Sequence, residues 1–511
     1  NISETFATNY LNMAGLTIHS TQDSNIQETT ETEFEKTKYV RASKNGGDSS
    51  QAAMVAMDHT TGYVTACTGG LGKKTTSRPF NRATQSVRQT GSAIKPIAVL
   101  APAIDKKIIT AASIYDDTEK DFENGYHPVD YSKSLGEITV RRAVESSQNI
   151  PFVEIMEELK PKNAIKYLEK MGVTSLTEKD NGLPLSLGGL EKGISPLQMA
   201  GAYATIANDG VYIEPTFYSR IDRGNGEKVI ESKQKKKRVF SKEVAYILKE
   251  ILTEPVLGEN GTATYCKISG VDVAAKTGTT DENYDRWLCG FTPYYTAVTW
   301  YGYDQNESVE FNQRNPAGLL WANVMARIHT GLESRSFEKP STVLSSTICA
   351  ETGMRATTGC KDTYTEYFLW FTTPDLCTKH SGEELTTKDN TNSNTNNTTE
   401  IVKGITEDID ATEPPRTTEP VERNNNTETE DNNNKDKNNN TSNTNSNTSG
   451  NNNQTNYNTN SGGNTNTSNN TNNSTNNNTN SSNDNETSNS SNTSNSTSNT
   501  TGNQTNNENT N

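Results

Sequence analysis

The sequence predicts an α+β fold, in which helices pack on an antiparallel sheet. Three observations indicate this fold. A β-hairpin pattern spans residues 53–68, where two apolar runs flank a polar turn that ends in Gly62. Helical spacing then dominates the middle of the chain, and three strand candidates follow between residues 271 and 303. Both ends of this segment therefore contribute strands to one sheet, with helices on its faces.

The remaining elements follow in chain order. Residues 16–21 are predicted to form a strand and residues 24–38 a polar helix. A helix is predicted to start near Ser92. Ser195 as N-cap and Pro196 at the first position give the clearest helix start. The other predicted helices cover residues 138–144, 152–159, 163–171, 195–208, 241–252 and 318–331, and the late strands cover residues 271–280, 287–291 and 297–303.

Composition divides the chain. After residue 424 the only apolar side chain is Tyr457, so this segment cannot bury enough surface to offset chain entropy. We expect a linker region over residues 1–50 and a main domain over residues 51–335. A small module that contains cysteines is expected over residues 336–385, and a disordered tail rich in Asn, Thr and Ser over residues 386–511.

Charge and hydropathy exclude some functions. The formal net charge is −15, and the only strongly basic run is residues 233–238, which argues against nucleic acid as a partner. No run reaches the ~18 apolar residues of a membrane span. The chain begins with Asn1 rather than Met, so we interpret it as a processed or truncated fragment with any signal or membrane anchor upstream.

A Ser-x-x-Lys spacing joins Ser92 and Lys95 at the start of an apolar run. In a helix these two side chains lie one turn apart on the same face. A serine hydroxyl needs a neighbouring base to become a nucleophile, and a desolvated lysine has a lowered pKa that suits it to this role. The same spacing recurs at Ser232 and Lys235, where no apolar run follows, so we interpret that copy as part of a solvated basic loop.

Two other segments could complete the Ser92 site. Ser147 and Asn149 place a hydroxyl and an amide two residues apart, between predicted helices. Lys276, Thr277 and Gly278 lie on a predicted strand, where glycine lets a substrate backbone approach closely. The lysine and the neighbouring hydroxyls would bind a carboxylate. Each segment alone is a weak signal.

Together and in this order, with separations of 55 and 129 residues, the three motifs resemble those of the penicillin-recognising serine acyltransferases. Flanking segments narrow the resemblance to the transpeptidase domain of class A penicillin-binding proteins, over roughly residues 10–380. This resemblance implies a β-lactamase-like α+β scaffold with an all-helical subdomain, and it makes residues 51–335 the penicillin-binding domain. The flanking segments are residues 80–92, 188–196, 202–210 and 275–280.

The resemblance also implies a role for each motif residue. The backbone N–H groups of Ser92 and Thr279 would form the oxyanion hole. Thr90 replaces a usual proline, and Ala275 replaces a usual glycine. No metal or cofactor is expected among the reacting groups. The implied catalytic residues are Ser92 as nucleophile, Lys95 as base, Ser147, Asn149 and Lys276, and the implied substrate-binding residues are Thr277, Gly278 and Thr279.

The implied activity is a D,D-transpeptidase reaction that cross-links peptidoglycan stem peptides through a serine acyl-enzyme. β-Lactam antibiotics would be covalent inhibitors. The family resemblance also implies lipid-linked precursors as partners, an upstream glycosyltransferase domain and membrane anchor, and a site on the extracytoplasmic face of a bacterial membrane. Two alternatives remain: a D,D-carboxypeptidase or β-lactamase-type hydrolase, and a non-catalytic surface protein on the same scaffold.

Three cysteines near the end of the main segment, Cys349, Cys360 and Cys377, are followed closely by His380. Three states fit this pattern: one disulfide with a free thiol, three reduced thiols, or a Cys₃His zinc site. Because the family often has cysteines in such a module, we favour a structural role for them.

Overall fold

A five-stranded antiparallel sheet forms the centre of the fold, with strands from two distant parts of the chain. The computed structural model describes residues 3–310 and 314–385, and the tail predicted to be disordered lies outside these residues. The described strands are β1 Leu16–Ser20, β2 Gln51–Asp58, β3 Tyr63–Thr68, β4 Ile114–Asp116, β5 Glu137–Thr139, β6 Val211–Ile213, β7 Tyr218–Arg223, β8 Lys228–Glu231, β9 Lys236–Arg238, β10 Ala274–Thr279, β11 Asp285–Phe291, β12 Thr296–Gly302, β13 Leu344–Cys349 and β14 Thr363–Phe368.

The order of strands in the central sheet is β10-β11-β12-β2-β3, so the hairpin β2–β3 and the strands β10–β12 meet at the β12–β2 pair. The predicted α+β class is confirmed. The prediction that one sheet contains strands from both ends of the main segment is confirmed as well. The described α-helices are α1 Glu4–Met13, α2 Ser24–Phe34, α3 Ala101–Asp105, α4 Val140–Ser146, α5 Ile150–Leu159, α6 Pro161–Lys170, α7 Pro196–Ala207, α8 Lys242–Ile251, α9 Glu254–Leu257 and α10 Pro316–Ile328.

Strand β2 is buried on both faces, because helices cover the sheet on each side. Successive side chains of a strand point to opposite faces. Val55 and Met57 belong to the larger core, which includes side chains of α7 and α8, whereas Met54 belongs to the second core with side chains of α2 and α10. Strand β2 therefore appears in the sequence as a continuous apolar run rather than an alternating one.

The helices between the two halves of the sheet pack around the segment that follows Ser92. Ser195 caps α7 by accepting a hydrogen bond from the Gln198 N–H, as predicted. Helices α5 and α6 pack against each other and contribute Phe152 and Leu168 to the larger core. In the described ranges 3–310 and 314–385, every helix is too short or too polar to cross a membrane.

Several short elements were not predicted from the sequence. In the separate small sheet β1-β7-β8 only β1 was predicted, and the two-stranded pairs β4–β5, β6–β9 and β13–β14 complete the set within the described residues. The basic run predicted as a loop contains β9, whose Lys236–Arg238 residues are exposed and pair with β6. Exposed lysines are poor strand formers, so only the pairing reveals this strand. Helix α2 ends at Phe34, four residues earlier than predicted.

Candidate active site

Ser92 lies on a helical turn whose backbone packs directly against strand β10. The turn covers Gly91–Ile94. Gly91 has φ +51°, and a Cβ added there would lie 2.2 Å from the Thr279 carbonyl oxygen. A Cβ added to Gly278 would lie 2.3 Å from the Thr90 carbonyl oxygen. Two glycines therefore allow the serine turn and the end of β10 to touch backbone to backbone, which no other residue type permits.

The predicted helix after Ser92 is present, but it is irregular. A 3₁₀ turn at Gly91–Ile94 is followed by a π-helical segment at Pro96–Leu100 and then by α3. Pro96 and Pro102 lack the N–H groups that an α-helix would use here, and the Ala101 N–H donates to the Pro96 carbonyl. Such π segments are often found at functional sites. The expectation of a plain α-helix is therefore wrong in detail.

Lys95 points from this helix into the loop after α4. Its side chain is fully buried. The ammonium donates to the Ser147 carbonyl at 3.0 Å, to the Gln148 carbonyl at 2.6 Å and to Asn149 Oδ1 at 2.7 Å. Burial lowers the pKa of Lys95 well below its usual value, and the positive charge of Lys276 lowers this pKa further.

Ser147 joins the two lysines. It ends α4 in the left-handed conformation, with φ +63° and ψ +33°, which is uncommon for a residue other than glycine. This turn directs the Ser147 carbonyl to Lys95 and places its hydroxyl 2.6 Å from the ammonium of Lys276. An observed backbone outlier of this kind is typical of functional sites.

Lys276 lies on β10 and is fully buried. Its ammonium donates to Ser147 Oγ at 2.6 Å and to the Thr277 carbonyl at 3.1 Å. Burial lowers the pKa of Lys276 to about 7. Both lysines therefore have lowered pKa values and contact the same serine residue.

A loop that carries no motif holds the segment 147–149 in place. Asn149 Nδ2 donates to the Val129 carbonyl at 2.7 Å, and the Asn149 backbone N–H donates to the Asp130 carboxylate. Burial raises the pKa of Asp130 to about 6, and the nearby Asp117 carboxylate adds to this rise.

The residue between Ser147 and Asn149 is also anchored. Gln148 is almost fully buried, and its amide donates to Asp117 Oδ2 at 2.5 Å and accepts from Ser132 Oγ at 2.8 Å. Nothing in the sequence pattern distinguishes Asp117 or Asp130, since each is a loop carboxylate without a recurring spacing, and the Ser-x-Asn spacing places no requirement on its middle residue, Gln148. These positioning residues become visible only in the folded chain.

Among the described residues, strand β10 lies at the edge of the central sheet, beside β11. Its free edge could therefore accept an extended peptide, as the sequence suggested. The Thr277 hydroxyl lies 2.8 Å from the Thr262 hydroxyl, and Thr279 Oγ1 accepts from Arg286 at 3.1 Å. Thr262 and Arg286 were also missed in the sequence, because they come from outside the Lys-Thr-Gly motif.

The structure brings the three predicted motifs together. Lys95 contacts Ser147 and Asn149, Lys276 contacts Ser147, and the Ser92 turn meets Thr279 through its Gly91 backbone. The second Ser-x-x-Lys is different, because the Ser232 hydroxyl lies 3.2 Å from that of Thr216, beside the small β1-β7-β8 sheet.

A further segment of the sequence resemblance packs behind the serine. A Cβ added to Gly188, which has φ +83°, would lie 2.4 Å from the Gly91 carbonyl oxygen. The Tyr203 hydroxyl of α7 donates to the Ala93 carbonyl at 2.6 Å. The regions around residues 188 and 203 therefore fix the position of the serine turn.

The fold and the site define a class of protein. A serine at a helix start, two buried lysines and a Ser-x-Asn turn surround the free edge of an antiparallel sheet. This is the arrangement expected of the penicillin-recognising serine enzymes. The family model described as "Penicillin binding protein transpeptidase domain" matches residues 52–326, and the chain belongs to this family.

Curated relatives support the same family. The chain is 33% identical over 353 residues to penicillin-binding protein 1A of Clostridium botulinum strain Hall, which covers 66% of this chain and 42% of the relative. It is 35% identical over 339 residues to penicillin-binding protein 1F of Bacillus subtilis strain 168, covering 64% of this chain and 45% of the relative. The chain therefore spans less than half the length of these two proteins.

Solved structures share the fold. The PonA1 protein from Mycobacterium tuberculosis, solved in complex with penicillin V, matches with a TM-score of 0.57 and 24% identity, covering 66% of this chain and 93% of that one. Penicillin-binding protein 1A from Haemophilus influenzae matches with a TM-score of 0.57 and 23% identity, covering 66% of this chain and 56% of that one. At these identities the likeness concerns the fold.

Proposed function

We propose that this chain carries a peptidoglycan D,D-transpeptidase domain that acts through an acyl-enzyme on Ser92. The observation that carries this proposal is the bonding of Lys95 and Lys276 to the Ser147–Asn149 turn, beside the edge strand β10. In this proposal residues 51–335 form the transpeptidase domain and residues 336–385 a small accessory module. The reaction takes place on the extracytoplasmic face of a bacterial membrane, where stem peptides are found.

Lys95 is the general base of the first step. A charged lysine has three N–H donors, which its three acceptors satisfy. The neutral amine keeps two of these bonds and has a lone pair for the Ser92 proton. Burial and the charge of Lys276 both favour the neutral form, so a base is available near neutral pH.

Acylation forms one bond and breaks one. Ser92 Oγ attacks the carbonyl carbon between the last two D-alanines and gives its proton to Lys95. The oxyanion is held by the backbone N–H groups of Ser92 and Thr279, where the serine turn meets β10. When the C–N bond breaks, the leaving D-alanine amine takes its proton through Ser147, which accepts from Lys276. Free D-alanine departs and an ester on Ser92 remains.

Recognition of the donor uses the end of β10. The peptide adds as a further strand along the free edge, because main-chain hydrogen bonds do not depend on side-chain identity. Its terminal carboxylate is bound by the hydroxyls of Thr277 and Thr279. Arg286 donates to Thr279 and brings a fixed positive charge to this end of the strand, which attracts a carboxylate.

In the second step an amine from a neighbouring stem peptide attacks the Ser92 ester. A new amide bond cross-links the two stems, and Ser92 regains its proton. A β-lactam imitates the donor carbonyl and forms the same ester, but its ring-opened product stays attached and blocks the acceptor amine. Penicillins are therefore expected to be covalent inhibitors, and PonA1 from Mycobacterium tuberculosis has been solved with penicillin V.

A β-lactamase-type reaction is less well supported. In class A β-lactamases a carboxylate activates the water that removes the acyl group. The nearest sequence candidate, residues 178–181, lacks the Glu-x-x-x-Asn spacing typical of those enzymes, and its Asp180 is buried and accepts backbone hydrogen bonds from Thr177 and Glu191 at 2.7 Å each. This carboxylate caps its own turn and is not free to activate water.

Mass spectrometry of the penicillin adduct tests the proposal. Incubation with penicillin should add the mass of one intact penicillin to the chain, and peptide mapping should place it on Ser92. Ser92→Ala should lose the adduct completely. Ser232→Ala is the matched control, because it removes the serine of the other Ser-x-x-Lys spacing, and it should label as the wild type does.

Three outcomes would contradict the proposal. An adduct that persists in Ser92→Ala moves the nucleophile to another residue. An adduct that turns over within seconds indicates a hydrolase. A wild-type chain that folds but is not labelled indicates a non-catalytic surface protein. A direct assay with a D-Ala-D-Ala stem peptide and a D-amino acid acceptor should yield the exchanged peptide only with intact Ser92.

A further inference from the structure

A second cluster of reactive side chains lies in the C-terminal part of the described chain. Cys349 ends strand β13, Cys360 lies in the connection to β14, and Cys377 and His380 follow β14. Their ligand atoms all lie within 4.8 Å of one another. Four residues from three separate segments therefore meet at one point, which lies outside the transpeptidase motifs.

The three sulfur atoms surround one ring nitrogen. The distances to His380 Nδ1 are 3.6 Å from Cys349 Sγ, 3.5 Å from Cys360 Sγ and 3.5 Å from Cys377 Sγ. A tetrahedral zinc ion with bonds of about 2.3 Å to sulfur and about 2.0–2.1 Å to nitrogen requires S···N separations of about 3.5–3.6 Å. The observed distances agree with this geometry for all three cysteines.

Hydrogen bonding alone does not explain the arrangement. An imidazole nitrogen has either one N–H or one lone pair, so it can form one good hydrogen bond and not three. A disulfide would account for two of the sulfurs and leave the third without a reason to face the same nitrogen. Cys349, Cys360 and Cys377 are all unpaired thiols in the structure. A cation at the centre of the four atoms explains every contact at once.

The surroundings also suit a metal site. His380 Nε2 lies 3.0 Å from Glu351 Oε2, and a carboxylate on the far ring nitrogen commonly orients a histidine ligand. The Thr357 backbone N–H donates to Cys360 Sγ at 3.3 Å, and the Thr352 hydroxyl donates to Cys377 Sγ at 3.4 Å. These donors stabilise thiolates, which are the form that binds metal.

We propose that Cys349, Cys360, Cys377 and His380 bind one structural Zn²⁺. All four positions are filled by protein side chains, which is typical of a structural site, whereas a catalytic zinc keeps one position open. The local apolar cluster is small, with only Ala356 fully buried beside Cys349 and Cys377. Metal binding would therefore supply stability that this cluster cannot provide by burial.

Zinc content of the whole purified chain is the first test. Elemental analysis after dialysis should give about one zinc per chain, as expected for a single closed Cys₃His site. Cys360→Ser and His380→Ala should lose most of this zinc. Cys67→Ser is the matched control, because Cys67 is a thiol outside the cluster, and it should retain full zinc. Far-UV circular dichroism and urea unfolding check that each variant is folded.

The orienting carboxylate provides a graded test. Glu351→Gln should keep the four ligands but weaken zinc binding by about 10-fold to 100-fold, measured by competition with a chromophoric chelator. Replacing zinc by Co²⁺ in the wild-type chain should give the absorption bands of tetrahedral thiolate coordination, and these bands should be lost in Cys360→Ser.

Three results would overturn the proposal. One is a wild-type chain that contains no zinc and binds none on titration. Another is a disulfide between any two of the three cysteines, detected by mass spectrometry of the unreduced chain. The third is equal zinc content in the wild type, Cys360→Ser and His380→Ala, because the metal would then be bound elsewhere.

Discussion

The two buried lysines, Lys95 and Lys276, lead to a prediction about how the rate of acylation depends on pH. If Lys95 is the base, the acid limb of the acylation profile reports its pKa in the free enzyme. The charge of Lys276 lowers that pKa. Lys276→Met removes this charge, so the pKa of Lys95 should rise and the acid limb should move to higher pH.

The expected size of the shift follows from Coulomb's law. Lys95 bonds to the Ser147 carbonyl oxygen at 3.0 Å and Lys276 to Ser147 Oγ at 2.6 Å, and we take a separation of the two ammonium groups on the order of 6 Å for the calculation. At an effective dielectric constant of about 20, two unit charges at that separation repel by about 3 kcal/mol, or about 2 pH units. Lys276 has a pKa of about 7 and is only partly charged near neutral pH. The expected shift is therefore about 1–2 pH units.

The assay is the second-order rate constant for acylation by a chromogenic β-lactam, measured from acid to alkaline pH. Lys276→Met should lower the rate at every pH, because it also removes the Ser147 contact, so the position of the limb is the informative quantity. Lys276→Arg carries a full charge at every pH of the assay and should leave the limb at its wild-type position or move it to lower pH. Lys249→Met removes a buried lysine that pairs with Asp209 and should not move it. A limb that stays in place or moves to lower pH in Lys276→Met would refute the coupling.

Two further predictions concern stability. The folded chain lowers the pKa of Lys276 to about 7 from its usual 10.5, so between these values the unfolded chain binds more protons and wild-type stability rises with pH. Lys276→Met should therefore be more stable than the wild type near pH 7, by on the order of 1–3 kcal/mol in urea unfolding, with the difference closing towards pH 10; a less stable variant at pH 7 would contradict this. Arg141→Met should lower the free energy of unfolding by about 3–5 kcal/mol, because it leaves the fully buried Glu366 unpaired, and Arg141→Met with Glu366→Leu should recover much of the loss. Lys44→Met, whose ion-pair partner Glu310 is exposed as Lys44 itself is, should cost less than about 1 kcal/mol, and equal losses at the two positions would contradict the special role of Arg141.

Sequence patterns predicted the central elements because each element has a local physical signal. Ser195 and Pro196 mark the start of α7, and the apolar run of β2 reports burial on both faces. The short pairs β6–β9 and β13–β14 have no comparable signal, because their stability depends on partners far away in the chain. The π-helical segment at Pro96–Leu100 was also missed, since a proline near a helix start is ordinarily compatible with an α-helix.

The residues of the candidate site also fall into two groups, those with a local sequence signal and those without one. Residues that would carry the chemistry, such as Ser92 and Lys276, occur in motifs with fixed spacing and could be predicted from the sequence. Residues that only hold those groups, such as Asp117 and Asp130, lie on loops with no fixed spacing to the motifs. Their requirement is for a carboxylate at one point in space, which many loop paths satisfy. No sequence pattern therefore identifies these positioning residues.

The strained turn at Ser147 connects the proposed site to the C-terminal strands. A left-handed serine costs of order 1–3 kcal/mol and persists only when its surroundings hold it. Helix α4, which ends there, has seven residues and is too short to be stable alone. Its position is set by Arg141, which donates two hydrogen bonds of 2.6 Å to Glu366 on β14. Strand β14 pairs with β13, which ends at Cys349, the first of the proposed zinc ligands. The C-terminal strands thus act on Ser147 through Arg141, so their loss should impair acylation although none of their residues needs to contact the substrate.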